Sequence, residues 1–192
     1  MSMNYNNLLN KNICTTLSEC SYDKKHNVFM VNSRGKCINF DKLTYEYCKA
    51  INNGRYTLDS VDSLIKINCR YIYIEFKNGI IEKEDIIKIK SKLRSSLILC
   101  SILFDFSCRP TNENDEFILV YNLNKNRDEF QNKNYTHSDS ISNFASKMFS
   151  LSKEEYVRFG LKDFVDLFGL KAHTFTSDQF ENWANNNLRN QV

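Results

Sequence analysis

The sequence predicts a mixed α/β (α+β) domain, a short central sheet flanked by helices. Three observations carry this. "RYIYIEFK" (70–77) and "EFILVYN" (116–122) are apolar runs of strand length rich in Ile, Val, Tyr and Phe, whereas residues 84–104 repeat apolar side chains at helical spacing. Short strands alternating with longer helices pack as layers around a sheet. At 192 residues, with 42% hydrophobic and 13% aromatic content, the chain supports one sizeable core. With Pro 1 and Gly 5, no linker-like stretch divides it, so a single domain over 1–192 is expected.

In chain order, Leu8, Leu9, Ile13 and Leu17 fall near one face of a helix over 4–20. "HNVFMVNSRGKCINF" reads as two strands around a turn at Ser33-Arg34-Gly35. Asp41 offers an N-cap to a helix over "KLTYEYCKAI", and "NNGR" ends it. Two strands follow, "VDSLIKI" and "RYIYIEFK". The 84–104 helix aligns Ile86, Ile89, Leu93, Leu97, Cys100 and Phe104 on one side, with Lys83, Lys90 and Arg94 on another. "RPTNEND" is a turn before the strand at 116–122, and the Asn-rich stretch 122–140 reads as a loop. Ser152 and Glu155 form a capping box for a helix at "KEEYVRF". A helix near 161–168 stops at Gly169, and "KAHTF" is a short strand. Thr176 and Gln179 cap a last helix with Phe180, Trp183, Ala184 and Leu188 on its apolar face.

Composition excludes several classes. The N-terminus lacks a basic start followed by an apolar run, and "LILCSILFDF" is too short to span a bilayer, so a cytoplasmic protein without membrane contact is expected. Seven cysteines with no CxxC pair point to free thiols rather than a disulfide framework or structural zinc. Net charge is +3, unevenly spread. Residues 66–96 hold eight basic and four acidic side chains, against 18 basic and 19 acidic elsewhere. Such a cluster suits a polyanionic partner.

That region also contains charges inside an apolar strand. Glu75 and Lys77 share one face of "RYIYIEFK", while Ile72, Ile74 and Phe76 take the other. If "VDSLIKINCRYIYIEFK" is a hairpin turning at Asn68-Cys69, Asp62 directly opposes Glu75, with Cβ atoms about 4.5–5.5 Å apart. Like charges at that spacing repel, and a divalent cation between them removes the conflict. Mg²⁺ (or Mn²⁺) suits oxygen donors of this kind, with substrate phosphate completing the shell. The Phe76 backbone carbonyl is a further candidate ligand, and Lys77 is placed to orient a water. Asp59 competes with Asp62 but has the opposite parity.

Asp62, a hairpin-length gap, Glu75-Phe76-Lys77 in an apolar strand, and a basic amphipathic helix together resemble the PD-(D/E)xK nuclease superfamily. The resemblance spans about 41–121, with the N-terminal region 1–40 and a helical region 141–192 packed on that core. It implies a restriction-endonuclease-like fold and metal-dependent cleavage of phosphodiesters, DNA favoured over RNA, in a small bacterial or phage protein of a restriction, abortive-infection or toxin system. Asp62 and Glu75 would hold the metal and Lys77 would assist the water. Glu46 is the candidate for an additional acid from the preceding helix. Lys88, Lys92 and Arg94 would contact backbone phosphates. A homodimer is compatible with cutting two strands. No Pro precedes Asp62, and the following helix lacks the Gln of some branches, which leaves the subfamily open. The alternative is a non-catalytic module of the same fold that binds a protein, as an immunity protein or antitoxin does.

Overall fold

The computed structural model describes residues 13–68, 70–104, 114–126 and 157–188. The described elements are β1 (Cys14–Thr16), α1 (Leu17–Cys20), β2 (Tyr22–Asp23), β3 (Val28–Phe29), β4 (Lys36–Asn39), α2 (Phe40–Asn52), β5 (Ser63–Ile67), β6 (Arg70–Lys77), α3 (Lys83–Leu103), β7 (Glu116–Tyr121), a 3₁₀ turn (Leu123–Lys125), α4 (Lys162–Asp166), β8 (Lys171–Thr176) and α5 (Ser177–Asn187). The expected helix at 153–159 lies largely outside the described residues, as do most of the loop over 122–140 and the turn at 109–115.

Six strands form one mixed sheet in the order β1-β4-β5-β6-β7-β8. Pairing is antiparallel from β1 to β6 and parallel from β6 to β8. The chain therefore changes from hairpin to crossover connections at β6, with α3 as the crossover to β7.

The β5–β6 hairpin sets the geometry that matters most. Ser63 pairs with Ile74, Leu64 with Tyr73 and Ile67 with Arg70. Asn68 takes the left-handed conformation (φ 55°) that a two-residue hairpin turn requires. The register is the expected one, and continuing it by one residue sets Asp62 against Glu75.

Both faces of the sheet are covered. Leu64, Tyr71, Tyr73, Phe117, Leu119 and Tyr121 pack under α2, α3 and α4 through Phe40, Leu43, Leu93, Leu97 and Val165. Ile65, Ile72, Ile74, Ile118 and Val120 pack under α1 and α5 through Leu17, Phe180, Ala184 and Leu188. A strand buried on both faces reads as a continuous apolar run, as β6 does. The capping box of Thr176 and Gln179 starts α5 as expected. Among the described residues no helix is long and apolar enough to cross a membrane.

Three local expectations are corrected. Residues 14–16 are strand rather than helix, because β1 completes the edge beside β4. The strands in 26–40 do not pair with each other: β3 pairs with β2, and β4 with β1 and β5. Asn39, not Asp41, caps α2, its side chain accepting from the Lys42 N–H, so the helix begins at Phe40. Asp41 thereby moves into the first turn.

Candidate active site

Asp62 is tied down from three sides. Its carbonyl accepts from the Phe40 N–H at the start of α2 (3.1 Å), and its Oδ2 accepts from the Phe76 N–H on β6 (2.6 Å). The neighbouring Val61 N–H donates to Ser96 Oγ on α3 (3.0 Å). Glu75 leaves β6 on the α3 side of the sheet, where its side chain is only 5% exposed. The two carboxylates meet at one point, and that point is the ammonium of Lys92. Its Nζ lies 2.8 and 3.1 Å from the two Glu75 oxygens and 3.4 Å from Asp62 Oδ1.

The electrostatics follow from burial. Removal from water raises the Asp62 carboxyl to about 6, against the pull of Lys92 and the Phe76 N–H. Glu75 is raised well above the carboxylate range, first by burial and then by the charge of Asp62. Burial alone would lower the Lys92 ammonium, but Asp62 and Glu75 outweigh it and raise it. A further acid acts on all three: the charge of Asp41 raises Asp62, Glu75 and Lys92 alike. Ser60 Oγ donates to Asp41 Oδ1 (2.6 Å). One ammonium thus faces two converging acids and a third nearby, and burial disfavours the ionised form of both members of the pair. Desolvating each ion costs several kcal/mol, and a charge-assisted hydrogen bond returns about 1.5–3 kcal/mol. The cluster is therefore a poor device for stability alone.

Of the residues singled out from the sequence, Asp62 and Glu75 come together. Lys77 does share their face, but its Nζ donates to Asp85 Oδ1 (2.7 Å). Asp85 in turn caps the start of α3 by accepting from the Glu82 N–H (3.2 Å). Lys92, expected to contact phosphate, instead reaches inward to the carboxylates. Lys88 and Arg94 are exposed, Arg94 on another side of α3. Phe76 meets the site through its N–H, and its ring packs on the opposite face against Phe180. Glu46 lies more than a turn along α2 from Asp41, and Asp41 is the α2 acid whose charge reaches the pair. Asp59 is exposed in the α2–β5 connection. Sequence reasoning missed Asp41 and the inward aim of Lys92. Assigning the cap to Asn39 puts Asp41 in the first turn of α2, next to Phe40, whose N–H bonds the Asp62 carbonyl.

A cavity of about 520 Å³ opens beside Asp62. Its walls are residues 20–26 and Met30 of the β2–β3 hairpin region, together with Asp62 and residues 76–80 at and just beyond the end of β6. Lys24, Lys25 and Lys77 give it three cationic side chains. Asn122 braces two of the lining residues, its N–H donating to the Lys77 carbonyl (3.2 Å) and its Nδ2 to Asn78 Oδ1 (2.8 Å).

Whether these residues fit Mg²⁺ is decided by the donors. Among the described residues no group of three or more His, Cys, Asp or Glu side chains could hold a metal ion. Mg²⁺ does not require one: it keeps several waters and is held by one or two carboxylates with substrate phosphate. Two converging acids fit that requirement once ionised, with the Lys92 ammonium lying where their oxygens meet.

Comparison with protein-family models, curated proteins and solved structures found no match.

Proposed function

We propose that the protein is a metal-dependent nuclease of the PD-(D/E)xK type that hydrolyses phosphodiester bonds, DNA favoured over RNA. One observation carries the reading: Asp62 and Glu75, from adjacent strands, converge on a single cation beside an open cavity with lysines in its walls. The order α2–β5–β6–α3–β7, a hairpin followed by a helical crossover, supports it as the order expected of a restriction-endonuclease-like core.

Asp62 and Glu75 would hold Mg²⁺ or Mn²⁺, with the Phe76 carbonyl as a further candidate ligand. Bound there, the ion would supply Lewis acidity toward the scissile phosphate and a bound water of lowered pKa. Lys92, already hydrogen-bonded to Glu75, takes the place expected of Lys77 beside the carboxylates: it holds them in register and offers positive charge to the phosphate. Asp41 adds negative charge that favours cation uptake. Lys24, Lys25 and Lys77 draw the substrate backbone into the cavity, and Lys88 and Arg94 extend the basic surface, giving salt-dependent affinity without base readout.

The direct test is cleavage of supercoiled plasmid, linear duplex and RNA with Mg²⁺, Mn²⁺ or EDTA, beside Glu75→Gln. Cleavage that needs the metal and is lost in the variant is expected. No cleavage of any of the three by the wild type would contradict the reading. A second reading rests on the Lys92 bridge itself: an ammonium that permanently neutralises the pair is what a protein-binding module of this fold would retain. A pull-down of an intact partner by an inactive wild type would favour it.

A further inference from the structure

The cavity beside Asp62 is also lined by a second polar pair, Asp23 and His26. His26 sits in the turn of the β2–β3 hairpin, and its Nδ1 lies 2.6 Å from Asp23 Oδ2. The same carboxylate accepts from the His26 N–H (3.3 Å) and the Lys25 N–H (2.9 Å) through Oδ1. Asn78 Nδ2, just beyond β6, donates to Asp23 Oδ2 (2.8 Å), and Asn122 Nδ2 holds Asn78. A chain of polar contacts thus runs from the end of β7 to the imidazole, tying the exposed hairpin to the sheet. Asp23 is held below the ordinary carboxylate range, first by the Asn78 bond and then by His26, so it stays an anion facing the ring.

This is more than a turn needs. An Asx turn is complete with the two backbone N–H bonds; the contacts to the ring and to Asn78 fix the imidazole in orientation and tautomer. With Nδ1–H given to Asp23, Nε2 is the ring's remaining position, on a residue that lines the same cavity as Asp62 and Lys77. A base held by a carboxylate, in a cavity that Asp62 also lines, is the arrangement of a proton-transfer catalyst.

We propose that His26, oriented by Asp23, is the general acid that protonates the leaving oxygen. The assignment rests on the nuclease reading. In the step, a bond forms between the water oxygen and phosphorus while the bond from phosphorus to the leaving nucleoside oxygen breaks. The water releases one proton to solvent. The leaving oxygen takes one proton from Nε2–H of the imidazolium, and solvent reprotonates the ring. Asp23 is a positioning residue, and its Oδ2 at 2.6 Å holds the ring through Nδ1. The other charged groups in the cavity walls are Lys24, Lys25, Lys77 and Asp62.

The test compares leaving groups. The wild type, His26→Ala and Asp23→Asn are given a short duplex carrying a position that the wild type cuts in plasmid, and the same duplex with sulfur replacing either bridging oxygen. Sulfur leaves without protonation. His26→Ala is expected to lose about 100-fold or more on the oxygen duplex and far less on one of the two sulfur duplexes, with added imidazole restoring part of the rate. Asp23→Asn should show the same selectivity with a smaller loss. Equal losses on the oxygen and both sulfur duplexes, or no loss at all, would overturn the assignment while leaving the nuclease reading intact. A wild type that cuts neither DNA nor RNA with either cation overturns both.

Discussion

Lys92 on α3 donates to both carboxylate oxygens of Glu75 on β6, at 2.8 and 3.1 Å, across the layer between helix and sheet. The lysine two residues after Glu75 in the strand is engaged elsewhere, 2.7 Å from Asp85. The lysine that serves the carboxylates therefore comes from the crossover helix.

The two lysines should separate in mutagenesis. Lys92→Ala is expected to lower metal-dependent cleavage by about 100-fold or more, as removal of one preorganised charge-stabilising donor does. Lys77→Ala should cost roughly tenfold or less, and should loosen the start of α3, since Asp85 loses its partner. Single-turnover rates for both variants on one plasmid check this.

Removing Lys92 also leaves two buried acids without the cation that favours their ionised forms. Lys92→Met should destabilise the metal-free protein by about 3–5 kcal/mol, the usual cost of breaking a buried ion pair from one side. Divalent cation should restore more of the lost stability than it adds to the wild type. Urea midpoints with Mg²⁺ and with EDTA measure both effects.

The stability profile with pH carries the signature of Asp62. Its folded carboxyl is raised from 3.8 to about 6. Between those values the folded chain keeps a proton that the unfolded chain has released, so this group's contribution falls as pH rises and is flat above about 6. In metal-free buffer Asp62→Asn should therefore gain on the wild type across that window. The gain is on the order of 1–3 kcal/mol, and it should include relief of Glu75 from the Asp62 charge. Melting curves of both proteins at pH values across the window decide the sign.

Asp41 acts at a distance, through charge. Asp41→Asn keeps an acceptor for Ser60 and removes the negative charge, so folding should be preserved while cation affinity weakens roughly threefold to tenfold. Metal titration of the cleavage rate reports it. Glu46→Gln, in the same assay, should change little.

The hairpin was legible because strand periodicity and a two-residue turn together leave one register. Asn68 in the left-handed conformation satisfies the turn, and Asp62 opposite Glu75 follows from counting. Periodicity also placed α3 and its buried face, where Ile89, Leu93, Leu97 and Cys100 are all inside. What it did not carry was which long side chain of that helix reaches back to the sheet. Lys92 neighbours Leu93 in sequence and looks like any solvated lysine of a basic helix until the helix is docked. β1 was missed for a related reason. Ile13 and Leu17 sit four apart and suit a helix, yet the pairing of Cys14–Thr16 with β4, distant in sequence, prevails over that local spacing. Likewise a two-residue error in the start of α2 hid Asp41 and drew notice to Glu46.

The account stands on the Asp62–Glu75 pair as a cation site guarded by Lys92, and binding of Mn²⁺ tests that most directly. Paramagnetic titration with duplex DNA present should show a Mn²⁺ site in the wild type that Mg²⁺ displaces and that Glu75→Gln and Asp62→Asn lack. Equal Mn²⁺ binding by the wild type and Glu75→Gln, or none by the wild type at millimolar Mn²⁺, would contradict it.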